Sequence, residues 1–404
     1  MPEGPGIPAH VPAERVVRFD FRSDPAVLSD PWPAMEAMND APDIFWSPEL
    51  GGYWVIARNE LVDEFLQRHD LFSTKKLSVP PVPGAPALIP NSLDPPEHGP
   101  YRKIFMQKMF SPRILAGLEQ DFRELSRSAV DAMLPSGACE FMEACARPVP
   151  VGMFLRMLGL PLEERERFMP WVQGVFHPAS TDEQAKAFME SAGYLSEWLD
   201  EQIASPDTRA GGHMLAAMLD ARIDGRALTK EELRSMAQML FLAGLDTVTS
   251  AMSHVMHCLA SSPAHCQQLL DEPALVPDAV EELLRRFGIS NIARVTERDC
   301  EFHGVEFRKG DMVLYSTPML GLDRRRYDDP LTVDFRRKDK KNHLAFGTGP
   351  HLCAGHFLAR TELRVMIEET LPRLSNLRVA PGARLAYESG GTLALKSLPL
   401  LWDP

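Results

Sequence analysis

The sequence predicts a mainly α-helical protein with small β-sheets. Three helical patterns carry this prediction: a long apolar segment after Asp224-Gly225, an amphipathic segment from Asp278 to Phe287, and a third pattern from His356 to about Leu371. With 404 residues, of which 45% are hydrophobic and 25% charged, the chain can bury a large core. No repeat or low-complexity linker divides it, so we expect residues 1–404 to form a single domain with a proline-rich lead at 1–30.

Charge, cysteine content and hydropathy narrow the range of functions. At a net charge of −13 a nucleic-acid partner is not expected, because such partners need basic surfaces. The six cysteines show neither paired spacing nor a zinc pattern, as in proteins of a reducing compartment. The first 30 residues contain no apolar run long enough for a signal or a membrane anchor. We therefore expect a cytoplasmic monomer that does not bind a membrane.

The long helix begins and ends at clear signals. Thr229 and Glu232 form a capping box, and the apolar pattern then continues to Ser261-Ser262-Pro263. This is about 30 residues, or roughly 45 Å at the rise of an α-helix. A helix so long and so apolar must cross the middle of the protein.

The centre of this helix reads Ala243-Gly244-Leu245-Asp246-Thr247. Gly244 costs about 1 kcal/mol inside a helix, and a threonine hydroxyl can bond to the carbonyl four residues earlier and loosen the turn. Such a turn leaves room for a small ligand and water. An unpaired carboxylate is expensive in a buried helix, which favours a functional role for Asp246 over that of a solvated polar residue.

A second candidate site precedes the last long helix. Residues 346–355 read Phe-Gly-Thr-Gly-Pro-His-Leu-Cys-Ala-Gly. At the start of a helix, backbone N–H groups favour the thiolate of Cys353 and lower its pKa, as in a metal ligand. Taken alone, a cysteine between glycines is more often a small buried hydrophobic residue. A hydrolase with Cys353 as nucleophile and His351 as base is a further alternative, although no third member can be named.

The complete pattern F-G-x-G-x-H-x-C-x-G resembles the cysteinate loop of the cytochrome P-450 family, the haem-thiolate monooxygenases. From about Ser92 to the end, the chain is most similar to the camphor-hydroxylating bacterial subgroup. The segments that carry this likeness are 91–97, 243–247, 281–287, 301–305 and 398–404. The resemblance implies the P-450 fold, a long central helix over haem b, and Cys353 as the axial ligand of the iron. No C-x-x-C-H occurs, so the haem is expected to be non-covalent.

The resemblance also implies the residues that hold the cofactor. They are His98, Arg102, Ala243, Gly244, Arg294, Phe346, His351, Cys353 and Gly355. His98 and Arg102 are four apart and therefore share a helix face. Arg294 is expected to open a strand that leads to a hairpin at 300–307, and with these two residues and His351 to bind the haem propionates. Ile292 stands where the subgroup has a carboxylate.

Three further residues resemble the structural ion-pair group of the family. Glu282 and Arg285, at positions i and i+3 of a helix, can pair bidentately. Arg337, ahead of the cysteine loop, is the expected third partner. We expect all three to support the fold.

For the reaction, the resemblance assigns proton relay to Asp246 and retention of bound oxygen to Thr247. The residues expected to face the substrate are Leu88, Met239, Leu242, Ala243, Ser290, Ile292, Thr392 and Leu393. None is charged, which favours a compact neutral hydrocarbon as substrate. The resemblance to the subgroup implies hydroxylation of an unactivated C–H in a small hydrophobic terpenoid or norisoprenoid such as an ionone. Camphor itself is not expected, because residues 78–93 lack the tyrosine that binds its ketone in the subgroup's camphor enzyme.

Electrons must come from outside, because the chain has no flavin or nicotinamide motif. The resemblance implies NAD(P)H, an external reductase and a 2Fe–2S ferredoxin. A basic run at 336–341, with Lys338, Lys340 and Lys341, and also Arg360, is expected to steer the acidic ferredoxin. The run can equally be a solvated face. Two other functions remain open: a haem-thiolate enzyme driven by peroxide, and a non-enzymatic haem-thiolate sensor.

Overall fold

The computed structural model describes residues 6–82, 87–176, 181–204 and 213–403. The first five residues of the lead, and residues 83–86 of the loop at 78–93, lie outside this description. The α-helices are α1 (Pro25–Ser29), α2 (Pro31–Glu36), α3 (Asn59–Gln67), α4 (His98–Ile104), α5 (Pro112–Met133), α6 (Pro148–Leu158), α7 (Arg165–Phe176), α8 (Thr181–Ala204), α9 (His213–Leu219), α10 (Lys230–Gly244), α11 (Asp246–Ala260), α12 (Pro263–Asp271), α13 (Val276–Arg286), α14 (Thr317–Leu320) and α15 (His356–Thr370).

The strands are short, and the prediction of a mainly α-helical protein with small sheets is confirmed. They are β1 (Ile44–Ser47), β2 (Tyr53–Ile56), β3 (Phe72–Ser73), β4 (Ala138–Glu140), β5 (Arg222–Ile223), β6 (Arg226–Ala227), β7 (Asn291–Thr296), β8 (Cys300–Phe302), β9 (Val305–Phe307), β10 (Met312–Ser316), β11 (Ser375–Val379), β12 (Tyr387–Ser389), β13 (Leu393–Leu395) and β14 (Pro399–Asp403). Within the proline-rich lead, the Asp24 side chain caps α1.

The largest sheet has the order β1-β2-β10-β7-β3, in which only the β10–β2 pair is parallel. Arg294 lies inside β7, opposite Val313, and the expectation that it opens a strand is therefore wrong. The hairpin expected at 300–307 is confirmed as β8 and β9. Its turn residues His303 and Gly304 have φ values of 50° and 73°, as a tight hairpin turn requires.

The central helix is confirmed, with an interruption where the sequence predicted a loosened turn. Thr229 and Glu232 form the capping box that starts α10. At Leu245, with φ −95° and ψ −61°, α10 ends and α11 begins. Together they form a helical run of 31 residues whose most apolar window is 67% buried, as in a core helix. By length and composition it is the one helix among the described residues that could also cross a membrane.

The central helix and α15 enclose the site. α11 packs against β13 and α15, and α15 packs against α5 and α13. Met252 and Met256 of α11 and Val365 of α15 are all fully buried in the main core. This packing sets the start of α15 opposite the junction of α10 and α11.

Candidate active site

The loop at 346–355 is a tight turn that ends at α15. Gly347 and Gly349 have φ values of +66° and +68°, which side-chain-bearing residues rarely adopt. At Gly349 an added Cβ would also lie 3.0 Å from the Leu66 carbonyl oxygen. The Cys353 N–H donates to the Phe346 carbonyl oxygen at 3.0 Å. The glycines thus let the loop fold back on itself and present Cys353.

The environment of the Cys353 thiol differs from the sequence-based expectation. The residue is open to the space in front of it but is surrounded by protein on the other sides. This burial raises the pKa of the thiol above its usual value, while the Gly355 N–H and the charges of Arg102 and Arg360 only partly offset the effect. The expectation that the helix start lowers the pKa is therefore wrong for the protein alone, because desolvation dominates. A bound metal cation reverses this balance by deprotonating the thiol it coordinates.

Cys353 lies in the wall of a cavity of about 1090 Å³. The same cavity is lined by Gly244 and Thr247 from the central helix and by Ala354 and Leu358 next to the cysteine. Ligand pockets in proteins commonly measure about 300–1,000 Å³. This cavity therefore has room for a large flat cofactor between the central helix and Cys353, with a small substrate beside it.

Most of the residues expected to face the substrate line this cavity. They are Leu88, Met239, Leu242, Ala243, Ser290, Ile292 and Thr392. Leu393 does not line it: its side chain is 0% exposed and belongs to the main core. The expectation for Leu393 is wrong because its backbone, bonded to Ile289 and near His254, holds it behind the cavity wall.

The two polar residues at the helix junction have different surroundings. Thr247 lines the cavity, and its hydroxyl donates to the Ala243 carbonyl oxygen at 2.8 Å, as the sequence predicted. Asp246 is only 1% exposed, and its carboxylate accepts a hydrogen bond from the Thr392 hydroxyl. The acid therefore lies behind the cavity wall, and the alcohol lies in it.

Two imidazoles and two guanidinium groups gather near the cysteine loop. The rings of His98 and His351 lie 4.2 Å apart, and burial lowers the pKa of His98 to about 4 and that of His351 to about 3. Arg102 lines the cavity and donates to the Leu352 carbonyl oxygen. Arg294 is 5% exposed, with its guanidinium 5.8 Å from the centre of the Tyr315 ring.

These groups fit the propionates of haem b. The Nε2 atoms of His98 and His351 are buried and have no hydrogen-bond partner among the described residues, which is costly unless a ligand supplies one. Arg102 adds a positive charge in the cavity wall, and two carboxylates would compensate the mutual repulsion of the cluster. The cavity between Gly244 and Cys353 would accommodate the ring, and the thiol would be the residue available to the iron.

The model of the family described as cytochrome P450 matches residues 167–381 of this chain. The chain belongs to the cytochrome P450 family. The relative "Probable cytochrome P450 127A1" of Sinorhizobium fredii is 32% identical over 407 residues, covering 98% of this chain and 97% of its own. "Cytochrome P450 monooxygenase PikC" of Streptomyces venezuelae is 31% identical over 366 residues, covering 88% and 86%.

Solved structures agree with this membership. The crystal structure of cytochrome P450 CYP101C1 aligns with a TM-score of 0.89 at 32% identity, over 98% of this chain and 100% of its own. That of CYP101J2 aligns with a TM-score of 0.90 at 31% identity, over 99% and 100%. The P-450 fold and the likeness to the camphor-hydroxylase-like bacterial subgroup are confirmed. The protein is a P450 monooxygenase that uses haem b, O2 and electrons from a reductant.

The ion-pair group of this cytochrome P450 has the geometry expected of a scaffold. Arg285 donates through Nε and Nη2 to both carboxylate oxygens of Glu282, each at 2.8 Å, and both side chains are 0% exposed. Arg337 Nε donates to the same carboxylate at 3.2 Å. Arg285 Nη1 also donates to the carbonyl oxygens of Gly321 and Pro330. The group thereby joins α13 to the segment before the cysteine loop.

In the folded protein, some cations of the basic run at 336–341 are buried or paired with acidic residues. Lys340 is 8% exposed, donates to the Arg337 carbonyl oxygen at 2.9 Å and lies 3.4 Å from Asp278. It cannot steer a partner, and the expectation for this residue is wrong. Lys341 is 70% exposed and 3.7 Å from Asp278, whereas Lys338 is exposed and forms no ion pair with a described residue. The acids of α13 therefore neutralise part of the run.

Sequence reasoning missed two cavity residues. Glu362 of α15 is 3% exposed, its Oε2 has no partner among the described residues, and burial raises its pKa to about 8. Its signal was a carboxylate between the apolar residues Leu358 and Leu363 on a helix that leaves the cysteine loop. Tyr315 also lines the cavity, but only the pairing of β10 with β7 brings it beside Ile292.

Proposed function

We propose that this cytochrome P450 hydroxylates an unactivated C–H bond of a small hydrophobic substrate of terpenoid or norisoprenoid type, such as an ionone. The observation that carries the proposal is one cavity that holds Cys353, Thr247 and the apolar wall together. Leu88, Met239 and Leu242 contribute to that wall. The likeness to CYP101C1 and CYP101J2 supports the same subgroup assignment.

Bound haem b supplies the activation of O2 and the insertion of one oxygen atom into the substrate. The chain's own residues orient the substrate and exclude water. Burial of apolar surface contributes roughly 25 cal/mol per Å², so the wall favours a compact hydrocarbon skeleton. Ser290 is a polar point in the wall that can bond one hydroxyl or carbonyl group of the guest. The Thr392 hydroxyl already donates to Asp246, so it can only accept a hydrogen bond from a guest hydroxyl.

Asp246 and Thr247 divide the handling of protons. Asp246 is shielded from the cavity and serves as the acid that delivers protons to it. The Thr247 hydroxyl donates to Ala243 and keeps its lone pairs for a donor in the cavity. In this position it would accept a hydrogen bond from a proton delivered into the cavity and would thereby help to retain oxygen there.

Electrons are supplied by NAD(P)H through an external reductase and a 2Fe–2S ferredoxin. Of the residues first expected to meet the ferredoxin, Lys338 and Lys341 remain exposed and can steer it. Phe357, 53% exposed and four residues after Cys353, offers an apolar contact at the start of α15. We place the working protein in the cytoplasm as a monomer.

The test is reconstitution with a bacterial 2Fe–2S ferredoxin, its reductase, NAD(P)H and ionone under isotopically labelled O2. One labelled oxygen in a hydroxylated product is the expected result. Formation of the hydroxylated product with hydrogen peroxide alone, without ferredoxin, would favour the peroxide-driven enzyme instead. Haem binding without turnover of ionone or any other terpenoid in a panel would favour the sensor.

A further inference from the structure

Thr392, which lies in the cavity wall, contacts Asp246 behind that wall. Its hydroxyl donates to Asp246 Oδ2, and hydrogen bonds to a charged acceptor are stronger than those between neutral groups. Thr392 is among the described residues that line the cavity, whereas Asp246 is not. The structure therefore ties the acid of α11 to a residue that the substrate can touch.

Backbone hydrogen bonds hold the segment around Thr392 in place. Gly390 N–H donates to the Thr392 carbonyl oxygen at 2.8 Å, and Leu393 N–H donates to that of Ile289 at 2.7 Å. Thr392 also forms an isolated antiparallel bridge with Ser290. These contacts hold the backbone of Thr392, and the bond to Asp246 orients its hydroxyl.

A second residue of α11 contacts the same loop. His254, two turns after Asp246, lies with Nε2 at 3.0 Å from the Leu393 carbonyl oxygen. Because a carbonyl oxygen only accepts, Nε2 carries the proton in this bond. The ring is stacked on Phe287 and Tyr387 at centroid distances of 6.0 and 5.9 Å. His254 and Asp246 thus connect α11 to the same loop at two points, Leu393 and Thr392.

We propose that Thr392 is a positioning residue for Asp246, whose hydroxyl holds the carboxylate in the orientation from which it delivers protons to the Thr247 side of the cavity. This rests on the proposed role of Asp246 as proton donor. Asp246 has a further interaction in the protein besides the Thr392 bond. Its backbone belongs to α11, so loss of the Thr392 bond is expected to turn the carboxylate without displacing the helix.

The experiment compares holoenzymes of wild type, Thr392→Val, Thr392→Ser, Asp246→Asn and the double variant Asp246→Asn/Thr392→Val. Thr392→Val removes the hydroxyl at constant shape, and Thr392→Ser keeps it. Ferredoxin-driven O2 consumption is measured in H2O and in D2O, which needs no identified substrate. Crystal structures of the two Thr392 variants provide a readout independent of turnover. Thr392→Ala serves as a second removal of the hydroxyl if Thr392→Val folds poorly.

Thr392→Val should lower the rate about tenfold and enlarge the ratio of the rates in H2O and D2O, while Thr392→Ser stays near wild type. On the Asp246→Asn background, Thr392→Val should lower the rate no further, because the two residues act as one unit. In the crystals, the Asp246 carboxylate should turn away from residue 392 in Thr392→Val only.

Two outcomes overturn the proposal. One is an unmoved Asp246 carboxylate in Thr392→Val. The other is an equal loss of rate from Thr392→Val in the wild-type and Asp246→Asn backgrounds, which means that residue 392 only shapes the pocket. The proposed role of Asp246 itself would be rejected by a different result, in which Asp246→Asn alone keeps the wild-type rate and isotope ratio. Failure of the Thr392 proposal and failure of the proposed role of Asp246 are therefore distinguishable.

Discussion

Glu281 accepts both ends of the Arg360 guanidinium group, Nε at 2.6 Å and Nη2 at 3.1 Å. The same carboxylate lies 3.2 Å from His343 Nε2, and these partners outweigh the effect of burial and hold the pKa of Glu281 at about 2. The Arg360 guanidinium also lies 4.6 Å from the centre of the Phe346 ring. Arg360, which was expected from the sequence to meet a redox partner, is thus paired within the protein, beside the cysteine loop.

This pairing changes which cations are expected to meet the ferredoxin. Replacement of Lys338 and Lys341 with Gln should lower the second-order rate of haem reduction by ferredoxin and flatten its dependence on salt, because exposed charges act on association and are screened over about 10 Å at 0.1 M salt. Lys309→Gln, on the turn after β9, is the matched control and should leave both quantities unchanged. Stopped-flow reduction at several salt concentrations measures them. Equal rates and slopes for all proteins would place the docking surface elsewhere.

The axial ligand can be tested directly. Cys353→His should still bind some haem but lose the red-shifted Soret band of the reduced CO complex, because that band requires a thiolate ligand. Cys300→Ser, in the hairpin β8–β9, provides a cysteine control that keeps the band. An unchanged band in Cys353→His would reject the assignment of the ligand, and would also reopen the role of Cys353 as a nucleophile.

Thr247 should control how electrons are used more than how fast they arrive. Thr247→Ala removes the hydroxyl at the cavity wall, so NAD(P)H consumption should continue while most electrons go to hydrogen peroxide. Thr247→Ser keeps the hydroxyl and should retain most of the product yield. The ratio of product to NAD(P)H, with peroxide measured in parallel, decides the matter. A wild-type ratio in Thr247→Ala would assign retention of oxygen to another group.

The buried ion-pair group should be far more sensitive than an exposed pair. Arg285→Ala leaves the carboxylate of Glu282 buried without its main partner, and should lower the free energy of unfolding by about 3–5 kcal/mol. Arg336→Ala breaks an exposed pair with Glu272 and should change the free energy of unfolding far less, because water and salt screen that pair. Urea unfolding of both variants measures the difference. Similar losses in the two variants would contradict a scaffold role for Arg285.

His254 predicts a pH dependence of stability. Burial lowers the pKa of His254 to about 4 in the folded protein, against 6.5 for an ordinary histidine. The unfolded chain therefore binds more protons below pH 6.5, and the contribution of His254 alone should lower the free energy of unfolding by roughly 3 kcal/mol as the pH drops from about 6.5 to 4. His254→Phe should remove this part of the pH slope. Parallel slopes in wild type and His254→Phe would show that the imidazole does not resist protonation.

Local sequence patterns were sufficient to predict the fold class, the family and a cysteine on a tight loop before the last long helix. Glycines at 347 and 349 adopt positive φ and Cys353 follows at the mouth of a helix, so a short pattern specifies its own geometry. The capping box at Thr229 and the hydroxyl bond of Thr247 are equally local, since their partners lie within four residues.

The partners of charged and polar groups that lie far apart in the chain were set by tertiary packing instead. Asp278 and Glu281 neutralise cations some 60 to 80 residues away, and Thr392 reaches Asp246 across 146 residues. Leu393 turns into the core because a backbone contact with Ile289, more than 100 residues earlier, sets its position. Such contacts depend on how elements pack, and no spacing within one segment encodes them.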